Sequence, residues 1–175
     1  MKVKAVILLL LVSTMHSCNK DKIIPATGTV TLNNKLVFDK SRQTYIGYGF
    51  LFSKAGQVSI LDKPAPDIFV YSDGTNLSFQ ANNLQNSFYN AGEYSDAVKA
   101  SEEFTKLTAP SVPQWTGMAS PLKENQIWIY KSGDEHFAKM RIISILMEVS
   151  DERDYGECTF EWRYQPDGSL TFPAR

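Results

Sequence analysis

Few residues of this 175-residue sequence combine the type and the placement that chemistry requires. Cys18 is the first. It directly follows the small residue Ser17, which presents its thiol to the peptidases that cut before a cysteine destined for acylation. The plainer alternative is an exported protein with an unmodified cysteine at that place. Cys158, the other cysteine, falls in an apolar series and is expected to be a buried core thiol. His136 is the only histidine after His16, so imidazole chemistry would have to be built on it alone. Directly after a turn, a solvated histidine is the simpler expectation. Asp151, Glu152, Asp154 and Glu157 could gather a cation, but they lack the one-in-two spacing and glycine of a calcium loop, and Arg153 opposes them. A solvated turn is the simpler expectation there too. The sequence holds no Gly-x-Ser-x-Gly, phosphate-cradling glycine loop, His-Glu-x-x-His or paired-cysteine metal pattern, and it reads as non-enzymatic.

Soft and flat side chains remain. Met140 and Met147 fall in apolar strand sequence, where packing explains them. Met118 stands outside any regular pattern, in the stretch 108–125 with Trp115. Phe88, Tyr89 and Tyr94 sit in or beside a second irregular stretch, 82–92. Planar side chains on loops can stack on a sugar ring or a flat macrocycle, or they can plug the end of a β core.

The elements that must position these residues begin with a leader. Lys2 and Lys4 precede an apolar run at 5–12, and a polar stretch at 13–17 leads to Cys18. The run is far short of the ~20 residues needed to span a bilayer. Residues 1–17 are therefore expected to be a lipoprotein signal peptide, 18–26 a lipid-anchored tether, and 27–175 one domain. The formal net charge of −1 falls to −3 once Lys2 and Lys4 leave with the leader. A slightly acidic domain without a basic block argues against a nucleic-acid partner. With Cys18 acylated, Cys158 has no partner for a disulfide.

The domain reads mainly as strands. Residues 27–32 are rich in threonine and valine, and Asn33-Asn34 suits a two-residue hairpin turn into 35–38. Residues 45–52, 57–61, 67–71 and 76–81 follow as short strands. A Ser132-Gly133-Asp134 turn joins 126–131 to 136–149. Residues 155–164 alternate strictly, with Gly156, Cys158, Phe160, Trp162 and Tyr164 on one face. A last strand is expected over 169–172. One helix stands out between Tyr94 and Thr108, capped by Asn90 or Ser95, with Ala97, Val98, Ser101 and Phe104 on its apolar face. The fold class is thus mostly β: a single antiparallel β domain with one short helix and long loops.

The order of these features carries a likeness. Tyr48-Gly49-Phe50-Leu51-Phe52-Ser53 with Gly56-Gln57-Val58 precedes Pro66-Asp67-Ile68-Phe69-Val70. Later come Ile127-Trp128-Ile129-Tyr130, Phe137-Ala138-Lys139-Met140-Arg141-Ile142 and Phe160-Glu161-Trp162-Arg163-Tyr164-Gln165. From about Tyr45 to Phe172 this resembles the HmuY-like haem-binding lipoproteins of Bacteroidota, although Pro66 stands where that family usually has tryptophan. The resemblance implies a β fold whose loops grip haem between two axial side chains on the outer membrane and hand it to a receptor. A single mature histidine excludes an axial histidine pair, and methionine can ligate haem iron instead.

The resulting expectation is a cell-envelope, outer-membrane lipoprotein binding a small planar ligand, haem among the candidates. Met118, Trp115 and Tyr89 are its ligand-binding residues, and Met118 and His136 its candidate metal ligands. A glycan-binding accessory of a surface nutrient-uptake complex is the alternative, followed by an envelope protein without a small ligand.

Overall fold

The computed structural model describes residues 27–83, 85–110, 113–150 and 153–172. The expected leader and tether, with Cys18, lie outside the described residues, as do Asp151 and Glu152. The strands are β1 (Thr27–Asn33), β2 (Val37–Asp39), β3 (Thr44–Ile46), β4 (Tyr48–Leu51), β5 (Gly56–Ser59), β6 (Ile68–Ser72), β7 (Leu77–Ala81), β8 (Phe88–Glu93), β9 (Met118–Ala119), β10 (Gln126–Lys131), β11 (Phe137–Glu148) and β12 (Tyr155–Gln165). Among the described residues there is one α-helix, α1 (Ala97–Lys106), between β8 and β9, and one 3-10 turn at Phe52–Lys54. The protein is mostly β and antiparallel with one short helix, as the residue patterns indicate.

Two five-stranded sheets face each other. The first has the order β1-β12-β11-β10-β8 and the second β5-β4-β6-β7-β9, while β2 and β3 form a separate hairpin. β12 shows why the sheets close. Its alternation turns Cys158, Phe160 and Trp162 inward, all nearly free of solvent. Phe160 meets Phe79 edge-on at 5.1 Å and Phe50 at 6.0 Å, and Trp162 meets Phe50 at 5.3 Å. Rings from both sheets therefore interlock, each burial contributing about 2 kcal/mol and each such pair about 1 kcal/mol more. Cys158 is fully buried among them, and burial pushes its thiol pKa far up, which makes it inert.

β10 has five consecutive buried residues, because both of its faces are covered. Trp128 and Tyr130 join the core between the sheets, and Ile129 packs outward with Phe137 and Phe172. Helix α1 covers that outer face through Ala100 and Phe104.

Several expectations are corrected. The helix is capped by Asp96, whose Oδ1 accepts from the Lys99 amide at 2.8 Å, rather than by Asn90 or Ser95. Its buried face runs through Ala100 and Phe104, and Val98 is 70% exposed. Asn33-Asn34 does not close a hairpin. β1 pairs with β12 and β2 with β3, because Asn34 is held by Gly156 and Asp154 through its side-chain amide. Residues 169–172 form no strand; Phe172 donates its amide to the Thr108 carbonyl at 2.6 Å and seals the outer core. The stretches expected to be irregular contain β8 and β9.

Candidate functional site

β8 is the edge of the first sheet and β9 the edge of the second, and a groove of about 480 Å³ opens between them. Thr116 builds it. Its amide and carbonyl pair with Phe88 at 2.7 and 3.0 Å, and its hydroxyl lies 3.2 Å from the Phe88 carbonyl and 2.9 Å from that of Met118. These bonds clamp the incoming chain onto β8 and deliver Met118 to β7, where it pairs with Gln80. Tyr89, Asn90, Gln114, Thr116, Met118 and Ser120 line the groove, with Trp128 at its floor. A second hollow of about 280 Å³ adjoins it across Gly117 and Met118, lined by Gln80, Gln85 and Asn86. Among the described residues both linings are uncharged: their polar groups are side-chain amides, hydroxyls and the Tyr89 phenol, without an acid, a cation or an imidazole.

Two of the residues expected from the sequence thus meet. Tyr89 and Met118 share the groove, and Met118 is 48% exposed with its sulfur 3.6 Å from the Gln80 side-chain amide. Trp115 stands behind it instead. Its ring packs edge-on to Tyr89 at 6.2 Å and against Phe137 at 6.2 Å, beneath the Lys131 ammonium at 5.1 Å. It supports Tyr89 and does not line the groove.

His136 is elsewhere. It begins at the β10–β11 turn, where its Nδ1 lies 3.2 Å from Asp134 and 3.3 Å from the Tyr164 hydroxyl. It lines neither hollow, so Met118 and His136 do not form one axial pair. The groove also offers no cation to the propionates of a haem. The residues present do not fit a haem held between these two side chains.

A second constellation escapes sequence reading. Asp67, just before β6, is half-buried where the two sheets meet. Its Oδ2 accepts from the Phe52 amide at 2.8 Å and its Oδ1 from the Tyr130 hydroxyl at 3.4 Å. Burial raises its pKa to about 6, while these two bonds oppose the shift. Tyr130 is pushed up by its own burial and by the Asp67 charge. Tyr164 rises to about 12, again chiefly through burial. No spacing in the sequence signals this group, because Asp67 and Tyr130 lie 63 residues apart.

Of the acidic run, Asp151 and Glu152 lie outside the described residues, and Glu157 lies on β12. Asp154 accepts from the Ser150 amide at 3.3 Å, and Glu157 accepts from Tyr155 at 2.7 Å. Among the described residues, no group of three or more His, Cys, Asp or Glu is placed to hold a metal ion. No helix among them is long and apolar enough to cross a membrane. Comparison of the chain with protein-family models, with curated proteins and with solved structures gives no match.

Proposed function

We propose that this chain is a cell-envelope lipoprotein, held to a membrane by an acylated Cys18, whose β domain is a binding module for a neutral, hydroxyl-rich ligand of the saccharide class. The observation that carries the ligand class is the lining of the β8–β9 groove. Gln114 offers a donor and an acceptor to vicinal hydroxyls, and Asn90 offers its Nδ2 donor while its Oδ1 accepts from the Gly92 amide at 2.9 Å. Ser120 adds a hydroxyl, Thr116 an acceptor oxygen, and the Tyr89 ring a flat apolar face. A site without charge selects against ionic ligands, whose desolvation nothing in it repays.

Isothermal titration of the non-acylated mature chain (Cys18→Ser) against a panel of neutral oligosaccharides tests this reading. Binding is expected for at least one member, with Tyr89→Ala and Gln114→Ala each weakening it about tenfold or more. A panel without heat discards the saccharide reading. Acylation is tested separately. After a high-salt wash, which releases any electrostatic contact, Cys18→Ser should move the protein from the membrane to the soluble fraction, and the mature wild-type terminus should carry the mass of acyl chains.

A second reading is a planar tetrapyrrole, its propionates left in solvent outside the uncharged groove, delivered to an outer-membrane receptor. One observation favours it: the exposed Met118 thioether shares its groove with the Tyr89 phenol. Haem titration should then shift the Soret band, and Met118→Ala should weaken the shift. An unshifted band removes this reading.

A further inference from the structure

The described residues expose twelve large apolar side chains, and seven of them fall between residues 36 and 71. Five of them, Leu36, Phe38, Tyr45, Ile60 and Tyr71, follow one another over one side of the fold. Phe38 lies opposite Tyr45 on the β2–β3 hairpin, with ring centroids 5.2 Å apart. Beside them Leu36 reaches over Gly47, where a Cβ would lie 3.6 Å from Leu36 Cδ2 and 3.9 Å from Ile60 Cδ1. Leu36 and Ile60 then share a hollow of about 360 Å³ with Phe69 and Tyr71 on the outer face of the second sheet. Arg42 fixes the hairpin to the loop beneath it, donating to Asp62 at 3.2 Å and to Ser59 at 3.5 Å. Single exposed apolar residues are ordinary, but an apolar strip continuous over a hairpin, a loop and a sheet face marks an interaction surface.

Charge and chain length indicate what covers it. Residues 35–63 hold five basic and two acidic side chains, whereas the rest of the chain from Cys18 onward holds eleven basic and seventeen acidic. A basic stretch of an acidic protein therefore coincides with its apolar strip. Aromatic and aliphatic side chains interspersed with lysine are what the interface of an anionic bilayer accepts. Nine peptide steps separate Cys18 from Thr27, a reach of up to ~30 Å. The seven residues of β1, which lead from Thr27 to the root of the hairpin, span only ~23 Å. A domain tethered at Cys18 can thus lie with β1 along the membrane and bring the hairpin down onto it.

We propose that the β2–β3 hairpin strip is a second, non-covalent membrane contact. Leu36, Phe38 and Tyr45 enter the interface of an anionic phospholipid bilayer, and Lys35, Lys40 and Lys63 meet its head groups. The proposal rests on the acylated-Cys18 reading for its setting, but its test does not use the acyl chain.

The test is co-sedimentation of the non-acylated Cys18→Ser mature chain with phosphatidylethanolamine vesicles, with and without phosphatidylglycerol. Binding is expected to the phosphatidylglycerol vesicles and to weaken as salt rises. Phe38→Ser/Tyr45→Ser should lower it about tenfold, with an unchanged circular dichroism spectrum. Lys35→Gln/Lys40→Gln/Lys63→Gln removes no apolar side chain and should abolish the salt dependence, so it carries the test should the first variant fail to fold. Absence of sedimentation with phosphatidylglycerol vesicles, or unchanged binding by both variants, overturns the proposal. So does a dimer in sedimentation velocity that the Phe38/Tyr45 variant dissociates, because the strip is then a contact between copies. An unacylated Cys18 in cells would remove the anchor reading and leave the vesicle result standing.

Discussion

The Tyr130 hydroxyl, on β10 of the first sheet, donates to the carboxyl of Asp67, which leads into β6 of the second, at 3.4 Å. Asp67 is thereby a polar tie between the two sheets, and its pKa of about 6 makes the tie sensitive to pH. A carboxyl whose folded pKa is raised favours folding fully when protonated, below its unfolded value of 3.8. That contribution is lost as pH climbs through about 6. The ionised carboxylate then costs on the order of 2 kcal/mol. Thermal midpoints of the wild type should therefore fall between pH 4 and 7 relative to Asp67→Asn, whose single amide oxygen can still accept from the Phe52 amide while its Nδ2 donates to the Tyr130 hydroxyl, without a charge. Parallel curves for the two proteins would show that Asp67 is not desolvated. Asp39, Asp73 and Asp96, all lowered by hydrogen bonds from nearby side chains or backbone amides, act in the opposite direction at lower pH and do not confuse the comparison.

Lys139 is a second buried tie. It is fully inaccessible, and its ammonium donates to the carbonyls of Phe104 at 2.6 Å and Leu107 at 2.7 Å. It also lies 4.9 Å from the Phe104 ring centre and 5.3 Å from that of Phe172. Burial, with Arg163 opposite it on β12, lowers its pKa to about 8. Lys139→Ala would leave the carbonyls at the end of α1 unpaired and open a void under the helix. It should destabilise the domain by about 3 kcal/mol in urea denaturation.

Trp115 and Tyr89 should separate in mutagenesis. Trp115 is wedged between Tyr89 and Phe137 outside the groove, so Trp115→Ala should lower stability by about 2 kcal/mol, with a smaller loss of ligand affinity. Tyr89→Ala should do the reverse. Paired titration calorimetry and urea denaturation check this, and a larger affinity loss for Trp115→Ala than for Tyr89→Ala would contradict the assignment of roles.

Gly49 marks the closest approach within the second sheet. A Cβ there would sit 2.5 Å from both the Ile68 carbonyl oxygen and the Pro66 Cβ. Because one neighbour is backbone and the other a ring, neither can rotate away. Gly49→Ala should therefore cost at least 2 kcal/mol, about the middle of the range for overpacked cores. An unaltered urea midpoint would contradict the packing described.

What the sequence determines by itself are the features carried by neighbours along the chain. The alternation from Tyr155 to Tyr164 reports a strand with one buried face, since that pattern has period two whatever it packs against. The Ser132–Asp134 turn, the strands it joins and the core placement of Cys158 are legible for the same reason. The mixed residues of β8 and the two-residue β9 give no such signal. They are strands because Tyr130 and Gln80 stand ready to pair with them at sheet edges. The helix face shows the same limit. Val98 is more apolar than Ala100, but the surface that α1 covers fixes Ala100 and Phe104 inward and leaves Val98 in water. Only tertiary structure brings Tyr89 and Met118 into one groove while holding Trp115 behind it and His136 apart. Those distances depend on how two sheets close over a shared core, and no local spacing encodes them.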